Sequence, residues 1–154
     1  MHRTLRTKLR TRLTATATAT AAALVGLTSA AGTAHATPPG PGVVGTVISR
    51  TTVGDTDYVL REITIPPGQA TGWHYHDGTL YAFVRQGTLS HFDAACAPNG
   101  VNPAGTSLTE PPGPEHVHIG RNLGTEPLVL EVLYVLPHGA PLSEDVPNPG
   151  CAFE

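Results

Sequence analysis

Glycine and proline break this chain so often that no long helix can form between them. Across residues 37–154 the two take 30 of 118 positions, and they stand between short apolar runs rather than inside a uniform tract. Each run is too brief for an amphipathic helix and rich in Val, Ile, Leu, Thr and aromatic residues, the composition of strands bounded by turns. Val43–Arg50 precedes Gly54-Asp55, and Tyr58–Ile65 runs into Pro66-Pro67-Gly68. Thr71–His76 ends at Asp77-Gly78, Leu80–Arg85 leads to Gly87, and Thr88–Phe92 follows. The segment Asp93–Gly105 reads as a loop, and Thr106–Thr109 reads as a strand that ends before the Pro111–Pro114 corner. His116–Asn122 and Leu128–Leu136 complete the set. About eight strands at this spacing predict an all-β sandwich or barrel. Leu128–Leu136, LVLEVLYVL, is apolar at every position but Glu131 and is expected to be buried on both faces. The Pro-rich tail, 137–154, is expected to cover the surface as irregular structure.

Charge divides the chain. Arg3, Arg6, Lys8, Arg10 and Arg12 precede an uncharged Ala/Thr/Leu stretch from Leu13 to Ala31, and Ala34-His35-Ala36 offers small residues where a signal peptidase reads. Residues 1–36 are therefore expected to be a secretory leader cleaved after Ala36, which makes the protein extracellular. No Arg-Arg pair points to the twin-arginine route. The alternative, a membrane anchor, suits this stretch poorly because threonines dilute its apolar core. Thr37–Gly42 is a flexible lead-in, 43–136 the domain and 137–154 the tail.

The exported part carries four arginines, twelve carboxylates and no lysine, a net charge of −8. Such a domain is a poor binder of nucleic acid or of an anionic membrane surface. Without lysine it has no Schiff-base chemistry and no lysine for a phosphate-binding loop. Serine-nucleophile and dinucleotide fingerprints are also absent. Cys96 and Cys151, an even count in loop-like surroundings of an exported chain, predict one disulfide tying the tail to the Asp93–Gly105 loop. Free thiols, or Cys96 as a soft metal ligand, are the alternatives.

Six histidines remain after the leader, and four form two pairs, His74-Tyr75-His76 and His116-Val117-His118. Residues i and i+2 of a strand share a face, so each pair aims two imidazoles into one space. Two pairs facing each other across a barrel can hold one divalent transition metal, with Fe, Mn, Zn, Ni and Cu all suited to imidazole, and leave positions open for water or substrate. The plainer reading, solvent-facing strand histidines, weakens when two such pairs occur in one short, charge-poor domain.

These residues resemble the cupin superfamily. Gly68, five residues, His74-x-His76 and then Gly87 follow its first motif. Gly105, five residues and Pro111-Pro-Gly113-Pro-Glu-His116 follow the start of its second. The halves of the second motif are out of step. Its front half selects His116, whereas its closing His-x-x-x-Asn selects His118 with Asn122, and on a strand either would face the same side. The unbroken segment through Arg121-Asn122 favours His118. The resemblance implies an antiparallel jelly-roll barrel with a metal inside, a small-molecule pocket at its mouth and, as in many such proteins, a homodimer.

One departure stands out. The glutamate of the first motif is missing, and Leu80 or Tyr81 takes its place. A centre without it is one unit more positive, which favours an anionic ligand or substrate. Glu110 and Glu115 flank the second motif and could replace the carboxylate, though a solvated loop role is the ordinary one for each. Tyr58, Tyr75, Tyr81 and His91 are candidates to line a pocket, with packing as their default role, and Arg61, Arg85 and Arg121 are the cations available to hold an anion. Three functions fit: a metal-binding cupin with a small-molecule pocket, a mononuclear non-haem oxygenase or isomerase with a three-His centre, and a metal-free binding barrel.

Overall fold

A computed structural model describes residues 36–154, so the leader read for 1–36 lies outside the described residues but for Ala36. Among the described residues ten strands form two antiparallel sheets. The first sheet orders β1 (Val44–Val53), β2 (Thr56–Ile65), β9 (Leu128–Pro137), β4 (Thr79–Gln86) and β7 (Ser107–Glu110). The second orders β10 (Glu144–Asp145), β3 (His74–Tyr75), β8 (His118–Arg121), β5 (Thr88–Asp93) and β6 (Pro98–Pro103). A single 3₁₀ turn, Pro114–His116, enters β8. The all-β architecture expected from the spacing of turns is found, as two antiparallel sheets of the jelly-roll kind that the resemblance implied. No helix among the described residues is long and apolar enough to cross a membrane.

Period-two alternation builds the core. Val59, Leu80, Ala82, Val84, Leu128, Leu130, Val132 and Leu136 turn inward from the first sheet and meet Leu89 of β5. On β9 the burial alternates strictly, so the expectation of a strand buried on both faces is corrected. Leu128, Leu130, Val132, Tyr134 and Leu136 are buried, while Val129, Glu131, Leu133 and Val135 are only half-covered. The strand is central in its sheet, between β2 and β4, but among the described residues no further layer lies over its outward side chains.

A second cluster forms around Trp73, Ala70 and Ile119, packed under Phe92, Val146, Cys151 and Phe153. Phe153 stacks on Trp73 at 6.0 Å and lies under the Arg121 guanidinium at 4.5 Å. The tail is thus a cover, and it is not wholly irregular: β10 pairs with β3. The disulfide joins Cys96 to Cys151 with Cα atoms 5.5 Å apart and fastens that cover to the β5–β6 turn.

Three other expectations change. The Asp93–Gly105 loop contains β6, whose sequence PNGVNP hides it. It runs at the sheet edge and has prolines at both ends, where a missing N–H costs least. Thr71–His76 contributes only His74–Tyr75 as strand. His116–Asn122 splits into the 3₁₀ turn and β8, so His116 and His118 do not share a strand face.

Candidate metal centre

β3 pairs with β8 at a single register point, His74 opposite His118. Opposed residues of an antiparallel pair point to the same side, so both rings enter the barrel together. His76, two residues beyond His74, adds a third. Ring centroids lie 4.5 Å apart for His74–His118, 4.7 Å for His74–His76 and 5.2 Å for His76–His118, and all three side chains are buried. One nitrogen from each comes within 4.8 Å of the others.

Backbone carbonyls set the tautomers. His74 Nδ1 donates to Gly72 O at 2.9 Å, His76 Nδ1 to Leu142 O at 2.7 Å and His118 Nδ1 to His116 O at 2.7 Å. A carbonyl only accepts, so the proton sits on Nδ1 and each neutral ring turns the Nε2 lone pair inward. Gly72 makes the first of these contacts with φ at 80°, a turn that favours glycine. Nε2 of His76 and His118 is buried without a hydrogen-bond partner. Buried lone pairs left unmatched are costly, and a metal ion shared among converging imidazoles satisfies them at once. The residues present therefore fit a divalent transition metal held by His74, His76 and His118.

At His74 electrostatics favour the neutral ring. Burial, then the neighbouring His118 and His76, lower His74 to about 3. Burial alone would also lower His118, but Glu110 beside it raises it. Glu110 enters from the end of β7. Its Oε2 lies 3.2 Å from His76 Nε2 and 3.4 Å from His118 Nε2, and its Oε1 lies 3.4 Å from His91 Nε2. Burial would raise this carboxyl, yet the contacts from His118, His76 and His91 hold it well below the usual range. His91, Glu110 and His118 form a second group of metal-ligating type that shares His118 with the first.

No protein-family model matches the sequence, and no curated protein matches it either. Solved structures do match. An uncharacterized conserved protein with a double-stranded β-helix domain from Klebsiella pneumoniae is 24% identical, covering 70% of this chain and 88% of that one, with a TM-score of 0.53. A Cupin 2 conserved barrel domain protein from Salinispora arenicola is 15% identical over 60% of this chain and 74% of its own, with a TM-score of 0.50. KdgF from Halomonas sp. is 17% identical over 62% and 80%, again with a TM-score of 0.50. The chain has the cupin fold. At these identities the likeness is one of architecture, the double-stranded β-helix, and the chemistry must be argued from the side chains.

In this cupin fold the candidate residues separate clearly. His116 lies outside the imidazole cluster, 43% exposed and 3.8 Å from Glu115, because the 3₁₀ turn carries it away from β8. Tyr58 and Tyr81, 37% and 52% exposed, stand on the outer side of the first sheet, and Tyr75 is half-buried between His74 and His76 without their inward direction. The tyrosine that reaches the cluster is Tyr134, edge-on to His76 at 5.8 Å. Its burial was readable, since outward Glu131 sets the parity of β9. His91 is buried beside Glu110 rather than at the surface.

Two cavities flank the cluster. One of about 440 Å³ is bordered by His91, Asp93, Glu110, Glu115, His116 and His118, among others. The other, about 100 Å³, lies on the far side against His74, His76, Tyr134 and Arg61.

Proposed function

We propose that this chain is an exported cupin-fold protein, cleaved after Ala36, that holds one divalent transition metal through His74, His76 and His118. Beside the metal it takes a small polar molecule into the 440 Å³ cavity. The observation that carries this reading is the convergence of three buried imidazoles whose Nδ1 protons are all committed to backbone carbonyls. That arrangement presents lone pairs to a common point without further rearrangement of protons. The disulfide supports an oxidising destination.

Asp93, Glu110 and Glu115 border the larger cavity, and no arginine among the described residues does, so it suits a neutral or cationic ligand better than an anion. Arg61 lies only on the smaller side. A bound divalent ion supplies Lewis-acid polarisation or, if redox-active, electron transfer. The chain's own residues orient the imidazoles, exclude water from the barrel side through Leu80, Leu130 and Val132, and leave the cavity side open.

The second reading, a mononuclear oxygenase or isomerase, is favoured by that cavity, because its wall includes His118 itself. Elemental analysis of untagged protein beside His74→Ala/His76→Ala tests the proposal. About one metal per chain in the wild type and none in the variant is the expected result, and iron or manganese would favour the enzyme. No metal in either, even after anaerobic reconstitution, would leave the metal-free binding barrel.

A further inference from the structure

The geometry points to Glu110 as a fourth ligand of this centre, a carboxylate delivered from β7 into the space beside Leu80. The inference rests on the metal reading above and adds to it the ligand that completes the set. In the β4–β7 ladder Leu80 lies directly opposite Glu110. Directly opposed residues share a face. Leu80 is 1% exposed and lines a small internal cavity with His74, His76, Glu110 and His118, whereas Tyr81 points outward. A side chain from position 110 therefore enters the same volume as one from position 80.

The protons decide what lies between Glu110 and the imidazoles. His76 and His118 have spent Nδ1–H on carbonyls, so in their neutral form each offers Glu110 Oε2 only a lone pair. A carboxylate facing two nitrogen lone pairs at 3.2 and 3.4 Å is repelled unless a cation or a shared proton lies between them, and a metal ion relieves both contacts at once. Every ion-pair partner of Glu110 among the described residues is a histidine, so no arginine fills that role. A divalent ion coordinated by Oε2 and the imidazoles does.

The two oxygens are then divided. Oε2 faces His76 and His118, while Oε1 faces His91 Nε2, which makes His91 a positioning residue that steadies the carboxylate. His118 has a single free nitrogen, so the group His91–Glu110–His118 cannot hold a second ion while the first is bound. With Glu110 included, the divalent centre carries one net positive charge instead of two.

Cobalt(II) titration of metal-free protein, expressed from the full-length chain without a tag, separates the two claims. Wild type should bind one cobalt per chain with a visible d–d spectrum, and His74→Ala/His76→Ala should bind none. Glu110→Gln, which keeps the shape and removes the charge, should weaken binding on the order of 100-fold and alter that spectrum. Leu80→Glu/Glu110→Gln should recover most of the loss, because a carboxylate at position 80 enters the same space. On wild-type protein alone, metal addition should shift a carboxylate band in the infrared difference spectrum, whether or not any variant folds. No cobalt or zinc bound by wild type would overturn the metal reading itself. Tight binding with Glu110→Gln within threefold of wild type, or no carboxylate shift on metal addition, would overturn the Glu110 assignment and leave the three-His site standing.

Discussion

Replacing Asn122 distinguishes a residue that fills space from one that organises polar backbone. Asn122 is 1% exposed. Its Nδ2 donates to Ile65 O at 2.9 Å and to Glu126 O at 2.8 Å, and its Oδ1 accepts from Gly124 N–H at 3.0 Å. The amide thereby clips the end of β2 to the turn between β8 and β9, and the Asn122 backbone bonds Gln69 and Gly68 besides. Asn122→Ala removes three side-chain hydrogen bonds at about 1 kcal/mol each, a loss of about 3 kcal/mol. A domain of about 120 residues unfolds with about 0.25 kcal/mol/K of entropy, so Tm should fall by about 12 °C. Asn122→Asp has nearly the same shape, but it turns an oxygen toward two carbonyls and buries a charge. At pH 7 it should therefore be the less stable of the two variants. Burial raises such a carboxyl in the folded state, so its penalty is present at neutral pH and fades as pH falls toward 4, where the protonated acid can donate once. Thermal and urea melts at pH 7 and pH 4 check both the order and the trend. An Asp variant as stable as wild type at pH 7, or more stable than the Ala variant, would refute the hydrogen-bond accounting.

Other outcomes follow from the same structure. Cys96→Ser/Cys151→Ser opens a loop of 55 residues, which the chain-entropy model values at about 4 kcal/mol; denaturant melts should show most of it, and unreduced, denatured wild type should titrate no free thiol. Asp57 accepts from Thr52 Oγ1, Gly139 N–H and His138 Nδ1, led by Thr52, and these bonds lower its pKa far below the ordinary carboxylate value. Its stabilisation is present above about pH 4 and lost as pH falls through the lowered value, so Asp57→Asn should reduce Tm at pH 7 and the deficit should shrink by pH 2; a deficit constant with pH would contradict this. Zinc added to metal-free protein at 100 times its Kd should stabilise by about 2.7 kcal/mol, read as a rise in Tm that His74→Ala/His76→Ala does not show.

The chain's local pattern was enough to establish strands and turns and to set His74 and His76 on one side together, because alternation and Gly/Pro punctuation act over a few residues. It placed β2, β4, β5 and β9 nearly to the residue, and it paired Cys96 with Cys151 because no other partner exists. It missed β6, where edge position excuses two prolines that local propensity counts against a strand. It left His116 and His118 interchangeable, since only the folded corner shows that a 3₁₀ turn interrupts the period-two face between them. Tyr134 was legible from the parity of β9 once Glu131 is taken as outward. Glu110 was not. At position 110 the local sequence describes the last residue before a proline corner, an ordinary solvated site. Its place beside three imidazoles depends on β7 pairing with β4 in one register and on the second sheet closing over the first. Those are contacts between residues distant in the chain, and no short-range pattern encodes which two strands share an edge.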